Sequence, residues 1–129
     1  MDSDGISVYH RIGAEEKLRE LVRAFYHIME TDPEARECLA THAGRDLAQS
    51  AEKLTMFLSG IFGGPPLYHE KFGHPRLRMR HFPFAIGEAE ARQWLACMLK
   101  AMDRVGIARE IQEELLPYFR EVTTHLRNR

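Results

Sequence analysis

The sequence lacks a bias toward one charge, a long apolar run and a large set of cysteines. Its 18 Lys and Arg are balanced by 19 Asp and Glu, and a formal net charge of −1 excludes the basic excess that non-specific nucleic-acid binding requires. No apolar run approaches the length of a membrane span. The opening MDSDGISVYHRIG is acidic and has no apolar segment of a signal peptide. We therefore expect a cytoplasmic protein with no membrane span and no nucleic-acid partner.

Length and cysteine content both indicate one small domain with reduced thiols. A chain of 129 residues is long enough to bury a hydrophobic core but too short for two domains, so we predict a single domain over residues 1–129. Cys38 and Cys97 are too few for a disulfide framework, and neither belongs to a CxxC motif. Two reduced thiols are expected in a cytoplasmic protein.

Apolar residues recur at helical spacing through most of the chain. In the segment 47–62 they form one apolar line of Leu47, Leu54, Phe57, Leu58 and Ile61. The loop THAGR (41–45) and the glycines and prolines of GGPPLY (63–68) separate these segments. No pair of segments has the alternation that two paired strands would need. We therefore predict an all-α fold whose main helices cover 14–31, 47–62, 88–105 and a last segment from about 108.

Capping residues mark where several of these helices begin and end. Asp32-Pro33 is an N-cap followed by a first-turn proline, which predicts a short helix through about Leu39. Asp46 is the N-cap expected for the helix at 47. Gly106 is a favourable C′ residue, so it predicts the end of the helix that starts at 88.

The segment FGHPRLRMRHFPFAIG (72–87) sets two histidines and three arginines among apolar residues. The alternation in LRMR would suit a half-buried strand, but no second strand is available to pair with it. In a helix, Pro75 would take the first-turn position. We therefore favour the helical interpretation of this segment.

As a helix, the segment presents an apolar face that contains a histidine. Leu77, His81 and Phe84 share that face at positions i, i+4 and i+7. Arg76 and Arg80 lie four residues apart along its flank, where like charges repel unless an anionic group lies nearby. His81 is thus expected on an apolar face beside fixed positive charge.

Three interpretations of His81 are open at this point. It is a core histidine bonded to a backbone carbonyl, or it shares a zinc ion with His74, or it ligates the metal of a large, flat, apolar cofactor that bears carboxylates. Zinc is disfavoured, because seven residues span about 10 Å of helix and no cysteine or carboxylate cluster completes such a site. A haem has the chemistry of the third option, since histidine is a common axial ligand.

The order of motifs in the chain resembles the truncated haemoglobins, and specifically their group II. GGPPLY is followed by GHPRLRMRH, by PF and IG pairs and then by QWLACM. The resemblance extends from about Val8 to Phe119. It implies a shortened globin fold, which is a two-over-two helical sandwich around haem b. It also implies reversible binding of O₂ and of other diatomic ligands, NO and CO.

The resemblance assigns roles at the iron and on the distal side of the haem. The family's proximal ligand is the histidine that closes RMRH, which is His81, so His74 does not have that role. Tyr26 and Trp94 match the family's two distal hydrogen-bond donors. The third distal position falls nearest to His42, in a loop that carries an extra residue relative to the usual pattern.

The resemblance also assigns the walls of the haem pocket. Ser50 and Leu54, on the central helix, match positions that face the distal side. The other matches pack on the ring or approach its propionates: Phe57, Leu58, Tyr68, Arg76, Leu77, Arg80, Phe84 and Ile86.

Two distal donors predict slow ligand release, which suits redox chemistry or sensing better than bulk oxygen transport. The resemblance therefore implies NO detoxification or peroxidase-like activity, and no catalytic residue is assigned. The sequence has no flavin or nicotinamide fingerprint, so any reductase is a separate partner.

The alternative function is a haem-based gas or redox sensor, or a helical interaction module without catalysis. A di-iron carboxylate bundle would need paired Glu-x-x-His motifs, which the chain lacks.

Overall fold

The computed structural model describes residues 7–43, 46–73 and 86–126, and within these ranges it contains helices and no strands. This confirms the all-α prediction. No helix among the described residues has the length and apolar content of a membrane span. A 3₁₀ turn at Pro33–Ala35 precedes the third of the helices, which are α1 (Val8–Ile12), α2 (Ala14–Thr31), α3 (Arg36–Ala40), α4 (Leu47–Ile61), α5 (Leu67–Phe72), α6 (Glu88–Arg104) and α7 (Arg109–Leu126).

The predicted capping residues are found at the ends of these helices. The Asp32 carboxylate accepts a hydrogen bond from the Glu34 amide at 2.9 Å, and that of Asp46 accepts one from Ala48, also at 2.9 Å. Gly106 follows the end of α6 with a φ of 78°, as a C′ glycine should. The short helices α1 and α5 were not predicted, because five or six residues are too few to show a periodic pattern.

The core forms where α2 packs against both α4 and α6, and α6 packs against α7. This places one helix pair, α2 with α4, on the other, α6 with α7, as a two-over-two sandwich requires. The apolar faces predicted for α2, α6 and α7 supply its centre. The largest fully buried side chains from these faces are Phe25, Leu18, Leu21, Met29, Met98, Met102, Leu115 and Phe119.

Cys38 in α3 and Cys97 in α6 are both free, as the sequence predicts, and both are buried. Burial raises the pKa of the Cys38 thiol to about 12, with a smaller contribution from Cys97. Neither thiol therefore forms appreciable thiolate at neutral pH, because burial also raises the pKa of Cys97.

A close approach between Tyr9 and Gly64 fixes α1 against the end of α4. The Tyr9 amide donates to the Phe62 carbonyl at 2.8 Å. A Cβ atom on Gly64 would lie 2.5 Å from the Tyr9 ring, which is closer than real Cβ atoms approach other atoms. The second glycine of GGPPLY therefore leaves room for a buried aromatic ring, in addition to ending the helix.

We expect Gly64→Ala to lower the free energy of unfolding by about 1–3 kcal/mol, because the added methyl group must displace the Tyr9 ring. Urea denaturation followed by circular dichroism measures this change. Gly60→Ala is the matched control, since its Cβ atom would lie at an ordinary 3.8 Å from Pro66. Within α4 that alanine should be neutral or stabilise by up to about 1 kcal/mol. Equal losses in the two variants would contradict the close approach.

Candidate ligand pocket

One apolar face of α4 packs against the core and yet remains half-buried. Leu54, Phe57 and Ile61 lie along it, and Ser50 lies on the same side one turn before Leu54, because a helix advances about 100° per residue. Leu58 belongs to the same predicted apolar line, yet it is fully buried. α4 therefore uses Leu58 for the core and leaves the other apolar side chains accessible to a bound group.

Trp94 on α6 borders the same region as this face of α4. It is half-buried and packs, as Phe57 and Ile61 do, against the buried pair Ile86 and Val122. Its ring centroid lies 5.2 Å from that of Phe25 and 6.0 Å from that of Phe119. No described residue accepts a hydrogen bond from the indole N–H. A half-buried aromatic ring with such a donor is suited to an apolar pocket that holds a polar ligand.

Tyr26 and His42, two of the predicted distal residues, are in contact. Both are half-buried, and their ring centroids lie 5.8 Å apart in an edge-to-face arrangement. Tyr26 comes from α2, directly after the Phe25 ring that packs on Trp94. The structure thus brings the three predicted distal residues to one region, with Tyr26 and Trp94 joined through Phe25.

The hydrogen bonds of His42 determine which ring nitrogen carries the proton. Nδ1 lies 3.1 Å from Thr41 Oγ1 and 3.2 Å from the Cys38 carbonyl oxygen. Thr41 Oγ1 donates its own proton to that carbonyl at 2.6 Å, so both neighbours of Nδ1 are acceptors. These two contacts favour a neutral ring that is protonated at Nδ1 and has its acceptor at Nε2.

Gln93 is a polar residue of this region that the sequence analysis missed. It is only 8% exposed, and its Oε1 accepts a hydrogen bond from the Cys38 amide at 2.8 Å. Its Nε2 donates to Glu37 Oε1, also at 2.8 Å. The sequence does contain a signal, because Gln93 precedes Cys97 by four residues and so lies on a buried face of α6.

Two further residues predicted to line the haem pocket lie within the described ranges. Tyr68 and Ile86 are both buried, and the Tyr68 ring lies 6.2 Å from that of Phe57. Tyr68 therefore borders the same face of α4. The other predicted residues of the haem site lie outside the described ranges, as does His74; these residues are Arg76, Leu77, Arg80, His81 and Phe84.

A separate groove of about 440 Å³ lies on the opposite face of α4. Glu52, Thr55, Met56 and Ser59 line it from α4, about half a turn around the helix from the apolar face. Arg19 of α2 also lines this groove, where it pairs with Glu52 at 3.1 Å. Its charged surface is unsuited to a flat apolar cofactor, so the half-buried face of α4 is the better candidate.

The described residues suit a flat cofactor better than an isolated metal ion. Within the ranges that the structure covers, no three His, Cys, Asp or Glu side chains lie together as a metal site needs. The apolar face of α4 and the Trp94 ring instead present aromatic and aliphatic surface to a bound group. The indole donor of Trp94 would then serve a polar ligand on that group.

Comparison with known proteins gives matches along nearly the whole chain. A family model described as bacterial-like globin matches residues 7–128. A group 2 truncated haemoglobin of Bacillus subtilis (strain 168) is 42% identical over 120 residues, which are 93% of this chain and 87% of that protein. The structure of the group II 2-on-2 haemoglobin of Agrobacterium tumefaciens superposes on this chain with a TM-score of 0.91. The two are 41% identical in sequence, and the match covers 99% of this chain and 98% of that one. The truncated oxygen-avid haemoglobin of Bacillus subtilis has a TM-score of 0.83 at 41% identity, covering 95% and 100%.

Proposed function

Because the chain belongs to the bacterial-like globins, and within them to the group II truncated haemoglobins, we propose that its half-buried pocket holds haem b and reversibly binds O₂, NO and CO. Haem-based binding of diatomic ligands is the property of the family. The observation that carries the assignment to this pocket is that the half-buried face of α4 and the half-buried Trp94 pack against the same cluster of Ile86 and Val122. The ligand specificity and the haem type are parts of the proposal.

The proposal assigns the two sides of the haem to different parts of the chain. His81 would ligate the haem iron, and Arg76 and Arg80 would pair with the propionates, because carboxylates would relieve the repulsion between two like charges. The other assigned residues would pack on the ring: Phe57, Tyr68, Leu77, Phe84 and Ile86. Leu58, which the resemblance also assigns to the pocket wall, is fully buried in the core.

On the distal side, residues of this chain would stabilise the bound ligand and slow its release. When bound, haem supplies an iron that binds diatomic molecules and exchanges electrons. The Tyr26 hydroxyl and the Trp94 indole donate hydrogen bonds to the ligand, and such bonds strengthen as charge accumulates on the acceptor. Ser50 and Leu54 border this space, and apolar walls keep water out, which strengthens the same bonds.

We extend the proposal to redox chemistry in the cytoplasm. Ligands held by two donors leave slowly, so the pocket favours NO detoxification or peroxidase-like reduction over bulk transport. In the first reaction, one NO, one O₂ and one electron yield nitrate, and the electron comes from a separate reductase. Nitrate measured against the NO consumed, with and without an added electron donor, tests this extension.

An absorption spectrum of the purified protein tests the central proposal. It is recorded as isolated, after dithionite, and after dithionite with CO. We expect a Soret band that shifts on addition of CO, and the pyridine haemochrome spectrum should identify haem b. No Soret band, even after haem is added during reconstitution, would overturn the proposed function.

A further inference from the structure

We propose that Gln93 is a positioning residue of this pocket, which holds His42 in one place and one tautomer through the backbone of Cys38. The proposal depends on the function proposed above only for the identity of the region as a distal pocket. Its structural content is a chain of contacts from α6 to the loop after α3. Its first two links are hydrogen bonds of the described residues, and the third is the tautomer that these bonds favour.

The first link joins α6 to α3. Oε1 and Nε2 of Gln93 bond the Cys38 amide and the Glu37 carboxylate, each at 2.8 Å, across 55 and 56 residues of sequence. α3 is five residues long, and so short a helix is not stable by itself. Its position therefore depends on tertiary contacts, and the side chain of Gln93 provides two of them.

The second link joins α3 to His42. The amide of Cys38 bonds Gln93, while its carbonyl accepts from the Thr41 hydroxyl at 2.6 Å and lies 3.2 Å from Nδ1 of His42. The peptide groups of one residue thus connect the two side chains. A shift of Cys38 would move both acceptors of Nδ1, because Thr41 Oγ1 is itself bonded to that carbonyl.

The third link is the tautomer of His42. With Nδ1 protonated, the neutral ring has an acceptor at Nε2 and no donor there. His42 also packs edge-to-face on Tyr26 at 5.8 Å. Without the constraint from Gln93, the neutral ring would populate both tautomers. Gln93 therefore fixes which ring nitrogen of His42 carries the proton.

Two measurements read these links directly, and neither depends on activity. Amide hydrogen exchange reports whether the Cys38 N–H is bonded, and the ¹⁵N chemical shifts of the His42 ring report its tautomer. In Gln93→Leu we expect the Cys38 amide to exchange about tenfold faster, as loss of one buried hydrogen bond implies. The two ring ¹⁵N shifts of His42 should move toward each other as the second tautomer becomes populated.

A matched control and a rescue separate positioning from general stability. Gln112→Leu also removes two hydrogen bonds of a glutamine, those from Nε2 to Asp103 and to the Ile107 carbonyl, both 2.9 Å long and outside this pocket. It should leave the Cys38 and His42 signals as they are. The double variant Gln93→Glu with Glu37→Gln exchanges donor and acceptor in the pair and keeps an acceptor for the Cys38 amide. It should restore the wild-type signals.

The proposal is overturned if Gln93→Leu leaves both signals at their wild-type values, or if Gln112→Leu changes them as much. It is also overturned if the folded double variant does not restore them. Should Gln93→Leu not fold, Gln93→Asn takes its place with the same expectation, because the shorter amide cannot reach Cys38. The samples are the protein as purified and, where it contains haem, its diamagnetic reduced form with CO. A haem-free wild type would refute the proposed function while the same signals still decide the role of Gln93.

Discussion

His81→Ala is expected to abolish stable haem incorporation. The substitution removes the axial imidazole that the proposal assigns to the iron. Loss of a residue that only orients a metal ligand already costs about 10–100-fold in metal affinity, so loss of the ligand itself should cost at least about 100-fold. The ratio of haem to protein after reconstitution, from the pyridine haemochrome and the protein absorbance, measures the effect.

His74→Ala is the matched control, because it removes the other histidine of the segment 72–87. We expect it to retain haem and an unchanged Soret band. His81→Gly with added imidazole should regain haem, since the free base can occupy the position of the deleted side chain. A His81→Ala variant with full haem and an unchanged spectrum would show that the axial assignment is wrong, and loss of haem in His74→Ala would move the assignment there.

The sequence predicts the long helices, because each has enough turns for its apolar residues to show the helical period. The long helices α2, α4, α6 and α7 each span 15 or more residues, and the N-caps Asp32 and Asp46 mark their own helix starts. The short helices α1 and α5 escape prediction, because five or six residues are too few to show a period, and contacts distant in sequence also fix the position of α1. α1 depends on the bond from Tyr9 to Phe62 and on the space left at Gly64.

Some residues of the candidate site can be predicted from local sequence motifs, whereas others are found only from contacts between distant parts of the chain. Tyr26, His42 and Trp94 could be assigned from a resemblance of motifs, and the structure places them in one region. Periodicity put Leu58 in one line with Leu54 and Phe57, yet only packing shows that Leu58 is fully buried while the others are half-buried. Gln93 was missed because its two partners lie 55 and 56 residues away, and no local rule connects them.

Trp94→Phe should speed the release of bound O₂ by about tenfold, because it deletes the indole N–H and keeps an aromatic ring beside Phe25 and Phe119. A hydrogen bond to an acceptor that gains negative charge is worth about 1.5–3 kcal/mol, and 1.4 kcal/mol corresponds to a factor of ten. Stopped-flow replacement of O₂ by CO measures the dissociation rate. Tyr26→Phe, which removes only a hydroxyl, should have an effect of similar size.

The double variant Tyr26→Phe with Trp94→Phe shows whether the two donors act independently. Donors that bond the ligand separately give rate changes that multiply, whereas donors in one shared network give a double variant close to the more severe single one. Tyr9→Phe is the control, since this buried tyrosine packs on Gly64 outside the pocket. If neither single variant releases O₂ faster than this control, the indole and the phenol do not hold the ligand. The half-buried Trp94 would then be a packing residue of the α6 face, and slow release, with the redox chemistry inferred from it, would lose its basis.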